Sequence, residues 1–300
     1  LITSTPGQAQ ATNDPSWGSQ RALTKLNAES AWQIASGSGQ TVAIVDTGTS
    51  AEPDLAPALL TGWDFVTDQE GGHGDQNGHG THVAGIVAAA AGNAVGGSGL
   101  APGAKLLPVR ALDAAGAGYW SDIASGIIYA VNQGAGVINL SLGGSVRSST
   151  LENSINRAVA AGITVVASAG NDNISPVDYP AGYDAVIAVG SVDYRKVKAP
   201  YSSFGSALDL VAPGGDIRRD DNGDGRPDGV LQQTMDPNQA LLGRYDSFAY
   251  FFVVGTSQAA PQVSAVAALI ARQGITDPRA IQAILQQTAE DLGTAGRDDQ

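Results

Sequence analysis

Apolar residues in this chain gather into short continuous runs, separated by stretches of helical period. Residues 41–46 (TVAIVD) are β-branched and apolar almost throughout, the mark of a strand buried on both faces. Similar runs at 105–112 (KLLPVRAL), 136–143 (GVINLSLG), 163–170 (ITVVASAG), 185–192 (AVIAVGSV) and 207–214 (ALDLVAPG) predict further strands. Helices are predicted over 19–35, 82–92, 121–133, 149–161 and 263–270; Gly134 ends the third. Strands alternating with helices imply an α/β fold with a parallel sheet covered on both faces. In such sheets sites form beyond the carboxyl ends of strands, and Asp46 stands at such an end. Residues 1–13 read as an extended polar arm.

Three hundred residues allow one large α/β domain or two small ones. No Pro- or Ser-rich linker and no internal repeat divides them. With 43% hydrophobic and 15% charged residues, the chain can fill a large core. A formal net charge of −13 argues against nucleic acid, which needs a basic face. The chain has no cysteine, which excludes disulfides and a thiol nucleophile. No apolar run is long enough for a membrane-spanning helix. The opening LITSTPGQAQ has neither a basic n-region nor an apolar h-region, so it reads as a mature form or encodes no address.

The chemistry concentrates in three blocks. Residues 255–261 (GTSQAAP) place Ser257 on a turn at Gly255, at or near the start of the 263–270 helix, where the helix dipole favours a developing oxyanion. A serine needs a base; residues 78–86 (GHGTHVAGI) offer one, and residues 43–48 (AIVDTG) offer a carboxylate. Together the blocks resemble the subtilisin-like serine proteases, the subtilases, and Asp46, His79 and Ser257 follow the order known for subtilisin. The resemblance runs from about Asn13 to Gly293. It assigns the base to His79, the first histidine of HGTH, and leaves His82 as support on the same helix.

This resemblance implies a three-layer α/β/α subtilisin-like fold with a mainly parallel central sheet. It implies one peptidase domain over 1–300, with an insertion at 214–254. It implies a secreted, monomeric endopeptidase of broad specificity acting on polypeptides, its signal and its own propeptide removed. In the family mechanism His79 takes the proton of Ser257, Asp46 orients His79, and an acyl-enzyme forms. SAGND (168–172) resembles the oxyanion block, with Asn171 as side-chain donor. GAG (Gly116, Ala117, Gly118) and SLGG (Ser141, Leu142, Gly143 and Gly144) resemble the two edges that hold an extended peptide. Trp120 and Ile123 fall where the family builds an apolar pocket. Asp178 falls at the base of the pocket for the residue before the scissile bond, and Asp172 at its rim; two carboxylates there would favour Lys or Arg. Gln258 and Gln262 depart from the Met and His common at those positions. The alternatives are a narrow processing protease and a non-catalytic peptide-binding protein on the same fold.

Calcium is the expected cofactor, the usual staple of a secreted chain without disulfides. NDPSW (13–17), AGNAVGGSG (91–99) and EPDL resemble a calcium site of thermitase-like subtilases. Its ligands would be Asp14, Asp54, Asn93 and the carbonyls of Ala91, Val95 and Gly97. In DDNGDGRPDG (220–229), Asp220, Asn222, Asp224, the Arg226 carbonyl and Asp228 alternate as in the first part of an EF-hand loop. Leu231 replaces the bidentate Glu, and a solvated acidic turn is the alternative. The segment from Asp64 to Asp75 is a third, weaker candidate.

Overall fold

The computed structural model describes residues 12–293 and 296. Most of the expected N-terminal arm, residues 1–11, lies outside them.

Eight strands form one sheet: β1 (Thr41–Asp46), β2 (Gly62–Asp64), β3 (Gln69–Gly71), β4 (Lys105–Arg110), β5 (Val137–Leu140), β6 (Thr164–Ser168), β7 (Ile187–Val192) and β8 (Leu210–Pro213). Their order is β3-β2-β4-β1-β5-β6-β7-β8, parallel except for the β2–β3 edge pair. A separate antiparallel hairpin joins β9 (Val230–Met235) to β10 (Phe248–Val253). The helices are α1 (Arg21–Lys25), α2 (Ala28–Trp32), α3 (His79–Ala88), α4 (Trp120–Asn132), α5 (Ser149–Ala160), α6 (Pro237–Ala240), α7 (Thr256–Arg272) and α8 (Pro278–Thr288).

The period of two along each strand sorts the core into two layers. Val42 and Ile44 of β1 face one layer with Val83 and Val87 of α3, Ala260 and Val263 of α7 and Ile281 of α8. Ala43 and Val45 face the other, with Ile127 of α4 and Leu151 and Ile155 of α5. Helices thus cover both faces, giving three layers, α/β/α.

Three predicted helices change, the 263–270 one by extending to Thr256–Arg272. The stretch 19–35 breaks into α1 and α2 at Asn27, which takes a left-handed conformation (φ 52°). The 82–92 helix begins earlier, at His79, and ends at Ala88, so residues 91–99 form a loop. The early start has a cause in Asp75. Its carboxylate accepts from the backbone N–H groups of Asn77 (3.0 Å), Gly78 (2.8 Å) and Thr81 (3.0 Å), satisfying donors at the head of α3.

Candidate active site

Asp46 ends β1 and is fully buried; His79 opens α3; Ser257 is the second residue of α7. The helices α3 and α7 pack on one face of the sheet. α3 starts against the end of β1, where a Cβ on Gly80 would stand 3.1 Å from Asp46 Cβ, and α7 starts beyond the end of β5, where Ser257 bonds Ser141. Asp46 Oδ1 lies 2.7 Å from His79 Nδ1 and also accepts from Thr47 N (2.7 Å). Asp46 Oδ2 is buried without a hydrogen-bond partner among the described residues. Burial of His79 acts to lower its pKa, but the charge and hydrogen bond of Asp46, with help from Asp75, raise it above the usual value. An imidazolium here is therefore stabilised by the carboxylate behind it. His82, on the next turn of the same face, is pushed down to about 4 by burial and stays neutral, with Nε2 3.3 Å from Phe251 O.

Asp75 belongs to this arrangement too, although its role is not apparent from sequence. It is buried, and besides the N–H groups above it takes the hydroxyls of Thr47 (3.0 Å) and Thr81 (2.6 Å). It thereby ties the residue after Asp46 to the helix that carries His79. The visible signal is an Asp four residues before the helix start.

The turn before Ser257 is a glycine conformation. Gly255 has φ 154° and ψ 162°, a region essentially closed to other residues. A Cβ there would also stand 2.8 Å from Gln258 Oε1. Pro261 then shapes the first turns of α7. It has no N–H, so the helix leaves the Ser257 carbonyl without its usual partner four residues on. Ser141 Oγ donates to that carbonyl instead (2.9 Å). Ser141 Oγ in turn accepts from Asn139 Nδ2 (2.9 Å), and Asn139 Oδ1 accepts from Ser264 Oγ (2.8 Å), one buried chain from β5 to α7. The Ser257 hydroxyl donates to Ser141 O (3.2 Å). Gln262 Nε2 donates to Gln258 O (2.8 Å) and to Pro213 O, so this departure from the family pattern braces the nucleophile turn against β8.

Asn171 is held by its oxygen. Oδ1 accepts from Thr256 N (2.9 Å) and Thr256 Oγ1 (3.0 Å), which leaves both N–H bonds of the amide to donate elsewhere. Its Nδ2 stands 3.7 Å from where a Cβ on Gly255 would be, beside the nucleophile turn.

The peptide edges are adjacent. Asp113 N donates to Ala117 O (2.8 Å) and Gly116 N to Asp113 O (3.0 Å), so Gly116, Ala117 and Gly118 lie on a tight turn after β4. Trp120 packs over Gly144, where a Cβ would meet its ring at 3.1 Å. Ile123 and Leu142 are buried together in the core. Gly144 and Tyr179 exchange two backbone hydrogen bonds (2.9 Å each). This brings Asp178 between Gly143 and Gly170, where Cβ atoms would come within 3.1 Å of its Cβ and 2.5 Å of its Oδ2. Its carboxylate accepts no hydrogen bond among the described residues. Burial raises its pKa, and the charge of Asp172 adds to that.

The acidic segments differ from one another. Asp14 and Asp54 are both buried and reach the same loop: Asp14 accepts from Gly92 N (2.8 Å) and Asn93 N (3.0 Å), Asp54 from Gly97 N (3.0 Å) and Asn93 Nδ2 (2.7 Å). Glu52, also buried, is pushed up to about 7, first by burial, with the Asp54 charge adding. No Lys or Arg pairs with these three among the described residues. Residues 220–229 are organised otherwise. Asp220 accepts from Asp224 N (3.1 Å) and Gly225 N (2.9 Å), and Asn222 donates to Asp224 (2.8 Å). Asp228 leaves that set. Its carboxylate is buried against Arg21 and accepts from Asp221 N (2.7 Å), while the Arg21 guanidinium lies 4.5 Å from the Tyr194 ring centre. Arg21 supplies a positive charge to Asp228. In the 64–75 candidate, Asp64 pairs with Arg110 (3.0 Å), and both oxygens of Asp75 accept hydrogen bonds. Among the described residues no three His, Asp or Glu side chains converge as a metal cluster, so an ion would rely on amide and carbonyl oxygens as well.

A three-layer fold with a serine, a histidine and an aspartate at the carboxyl edge of its sheet defines a class of hydrolase, and comparison with known proteins agrees. Residues 37–300 match the Subtilase family model, and the chain belongs to that family. It is 42% identical to thermitase of Thermoactinomyces vulgaris over 95% of this chain and 93% of thermitase. It is 44% identical to a thermophilic serine proteinase of Bacillus sp. (strain AK1), spanning 89% of this chain but 60% of that protein's length. Among solved structures, a protease from Pseudoalteromonas arctica PAMC 21717 superposes with a TM-score of 0.84 at 36% identity, covering 94% of this chain and 93% of its own. The protein is a serine endopeptidase acting on polypeptides. Among the described residues no helix is long and apolar enough to cross a membrane.

Proposed function

We propose that Asp46, His79 and Ser257 form the catalytic triad of a single peptidase domain, with Asn171 and the backbone N–H of Ser257 as oxyanion donors. The observation that carries this reading is the pairing of Asp46 with His79 beside a nucleophile turn that leaves the Asn171 amide free to donate. His79 Nε2 takes the Ser257 proton as Oγ bonds to the scissile carbonyl carbon. The carbonyl oxygen becomes an oxyanion facing the Asn171 amide. His79 then returns the proton to the departing amine as the C–N bond breaks, leaving an acyl-enzyme. Water, deprotonated by His79, frees the acid and restores Ser257. Stoichiometric labelling of Ser257 by a serine-directed organophosphorus reagent tests the assignment; a modified enzyme that carries the label elsewhere would refute it.

Asp178 makes the first pocket a reader of positive charge. Its carboxylate is partly buried, accepts no hydrogen bond among the described residues and is set between Gly143 and Gly170, so a Lys or Arg side chain entering there would find an uncompensated charge. Peptide anilides ending in Arg or Lys are expected to exceed Phe and Leu anilides in kcat/KM. Asp178→Asn should reverse that order, a swing of roughly 10–100-fold. Because the pKa of Asp178 is raised, the basic preference should fade on acidification at a higher pH than an ordinary carboxylate would dictate. A parent enzyme that prefers Phe, with no change in the variant, would refute the role of Asp178.

Calcium fits the Asp14–Asp54 site. Two buried carboxylates there lack a cationic partner, and the Asn93 amide oxygen with the carbonyls of Ala91, Val95 and Gly97 would complete a hard oxygen set. The ion would supply the missing positive charge and fasten the segment at Asp14 to the 91–99 loop. At a free concentration about a thousandfold above Kd it would contribute about 4 kcal/mol. Exhaustive chelation should therefore lower Tm by roughly 8 °C, and Asp14→Ala should abolish most of the response. An unchanged Tm would rule the site out. Asp220, Asn222, Asp224 and the Arg226 carbonyl are left as a weaker, water-exposed site. Secretion, removal of a propeptide and a monomeric state complete this reading.

A further inference from the structure

The β9–β10 hairpin lies along α3 and climbs toward the active site. Gln232 Nε2 donates to Gly85 O (3.0 Å), Phe251 O meets His82 Nε2 (3.3 Å), and Thr234 Oγ1 donates to Gly78 O. Met235, the last residue of β9, packs against Gly78, where a Cβ would stand 3.4 Å from the Met235 Cβ. Gly78 directly precedes His79. The connection 236–247 therefore leaves the hairpin at the rim of the site.

That connection is built. Asp236 N donates to Ser247 O (2.8 Å) and closes its base, and the Asp236 side chain caps α6 through Asn238 N (2.9 Å). Leu241 N donates to Pro237 O (3.1 Å), Gly243 N to Ala240 O (2.8 Å) and Arg244 N to Gln239 O (3.0 Å). On this ordered turn Leu241 is 86% exposed, Leu242 67% and Tyr245 39%. Neighbouring leucines held in water by this hydrogen-bonded backbone form an apolar surface that no described residue covers.

The placement indicates which partner. The loop before His79 touches different neighbours on its flanks. Asn77 Nδ2 donates to Ala114 O (3.0 Å), against the turn that carries Gly116, Ala117 and Gly118, whereas Gly78 meets Thr234 and Met235. In the peptidase reading the 116–118 and 141–144 edges hold substrate before the scissile bond. The hairpin then borders the path taken by residues after it. We propose that the 236–247 tip is a specificity element for the segment on the C-terminal side of the scissile bond. Leu241 and Leu242, flanked by Tyr245, receive large apolar side chains there. The proposal rests on the peptidase reading, and the experiment separates the two.

Internally quenched peptides would share one sequence up to the scissile bond and carry Leu, Ser or Asp at the second and third positions after it. The matching anilide has no residues after the bond. Each kcat/KM is divided by that of the anilide for the same enzyme. The parent is expected to favour the Leu peptide over the Asp peptide by roughly tenfold, the size of a modest apolar subsite. In Leu241→Ser/Leu242→Ser, an exposed pair whose replacement costs little stability, the ratio should fall close to one. A ratio near one in the parent, or the same preference in the variant, overturns the proposal. So does a concentration-dependent dimer that the double substitution dissolves without altering selectivity, since a second copy would then be the occupant. A parent that leaves the anilide intact would instead overturn the peptidase reading.

Discussion

Ser257→Ala is expected to remove casein hydrolysis almost completely while the protein keeps its fold. Among the described residues the hydroxyl makes a single hydrogen bond, to Ser141 O, and the structural contacts at this position run through the Ser257 carbonyl, which alanine keeps. Stability should therefore change by no more than about 1 kcal/mol. The loss in kcat should be about a millionfold, the figure known for subtilisin itself. Residual turnover reflects binding and oxyanion donors alone. Thermal melts and casein digestion of purified parent and variant measure both halves. A variant that digests casein at the parental rate would place the nucleophile elsewhere.

The second largest effect belongs to Asn171. Asn171→Leu should lower kcat by about 10²–10³, the range known for the corresponding asparagine of subtilisin, with KM little changed. The reason lies in how the amide is mounted. Thr256 holds Oδ1 from two directions, so Nδ2 is presented by a side chain that does not have to reorganise as the oxyanion forms. Asn171→Asp is a sharper test. An aspartate keeps both acceptor bonds to Thr256 but sets a negative charge where another develops, and its kcat should fall below that of the leucine variant. Equal rates for Asn171→Asp and the parent, measured with one anilide, would remove Asn171 from the mechanism.

Much of the sheet was legible because buried parallel strands are written as unbroken apolar runs. The hairpin was not, and the residues explain why. Phe248–Val253 is half-buried at every position, and Val230–Met235 carries Gln232, Gln233 and Thr234 in its middle, so neither shows a strand's usual pattern. Gln232 and Thr234 face α3, where they bond backbone carbonyls at Gly85 and Gly78. α8 had a readable start, Asp277 capping Ala280 N ahead of Pro278, but its apolar face is thin: of its residues only Pro278, Ile281 and Leu285 are buried. The partners of the acidic loops were not legible for a common reason. Spacing announces oxygen ligands but cannot show a cation arriving from elsewhere in the chain. Arg110 reaches Asp64 and Arg21 reaches Asp228 only because the fold carries them there. The three catalytic candidates were legible as motifs, whereas Asp75 became meaningful only once Thr47 and Thr81 stood on either side of it.

The pairing of Arg21 with Asp228 has a meaning in time. The two residues are 207 positions apart, so their contact closes a loop comprising most of the chain. Closing so long a loop is costly before the intervening structure exists, so this contact is expected to form late in folding, after the sheet. An interaction absent from the transition state stabilises the native state without stabilising the barrier, and so slows unfolding rather than speeding folding. For a proteolytic enzyme that distinction is practical. Any molecule that opens is substrate for its neighbours, and when cleavage outpaces reclosing, survival is set by the rate of opening. The insertion that carries Asp228 is thus expected to slow self-digestion by holding the start of the fold shut.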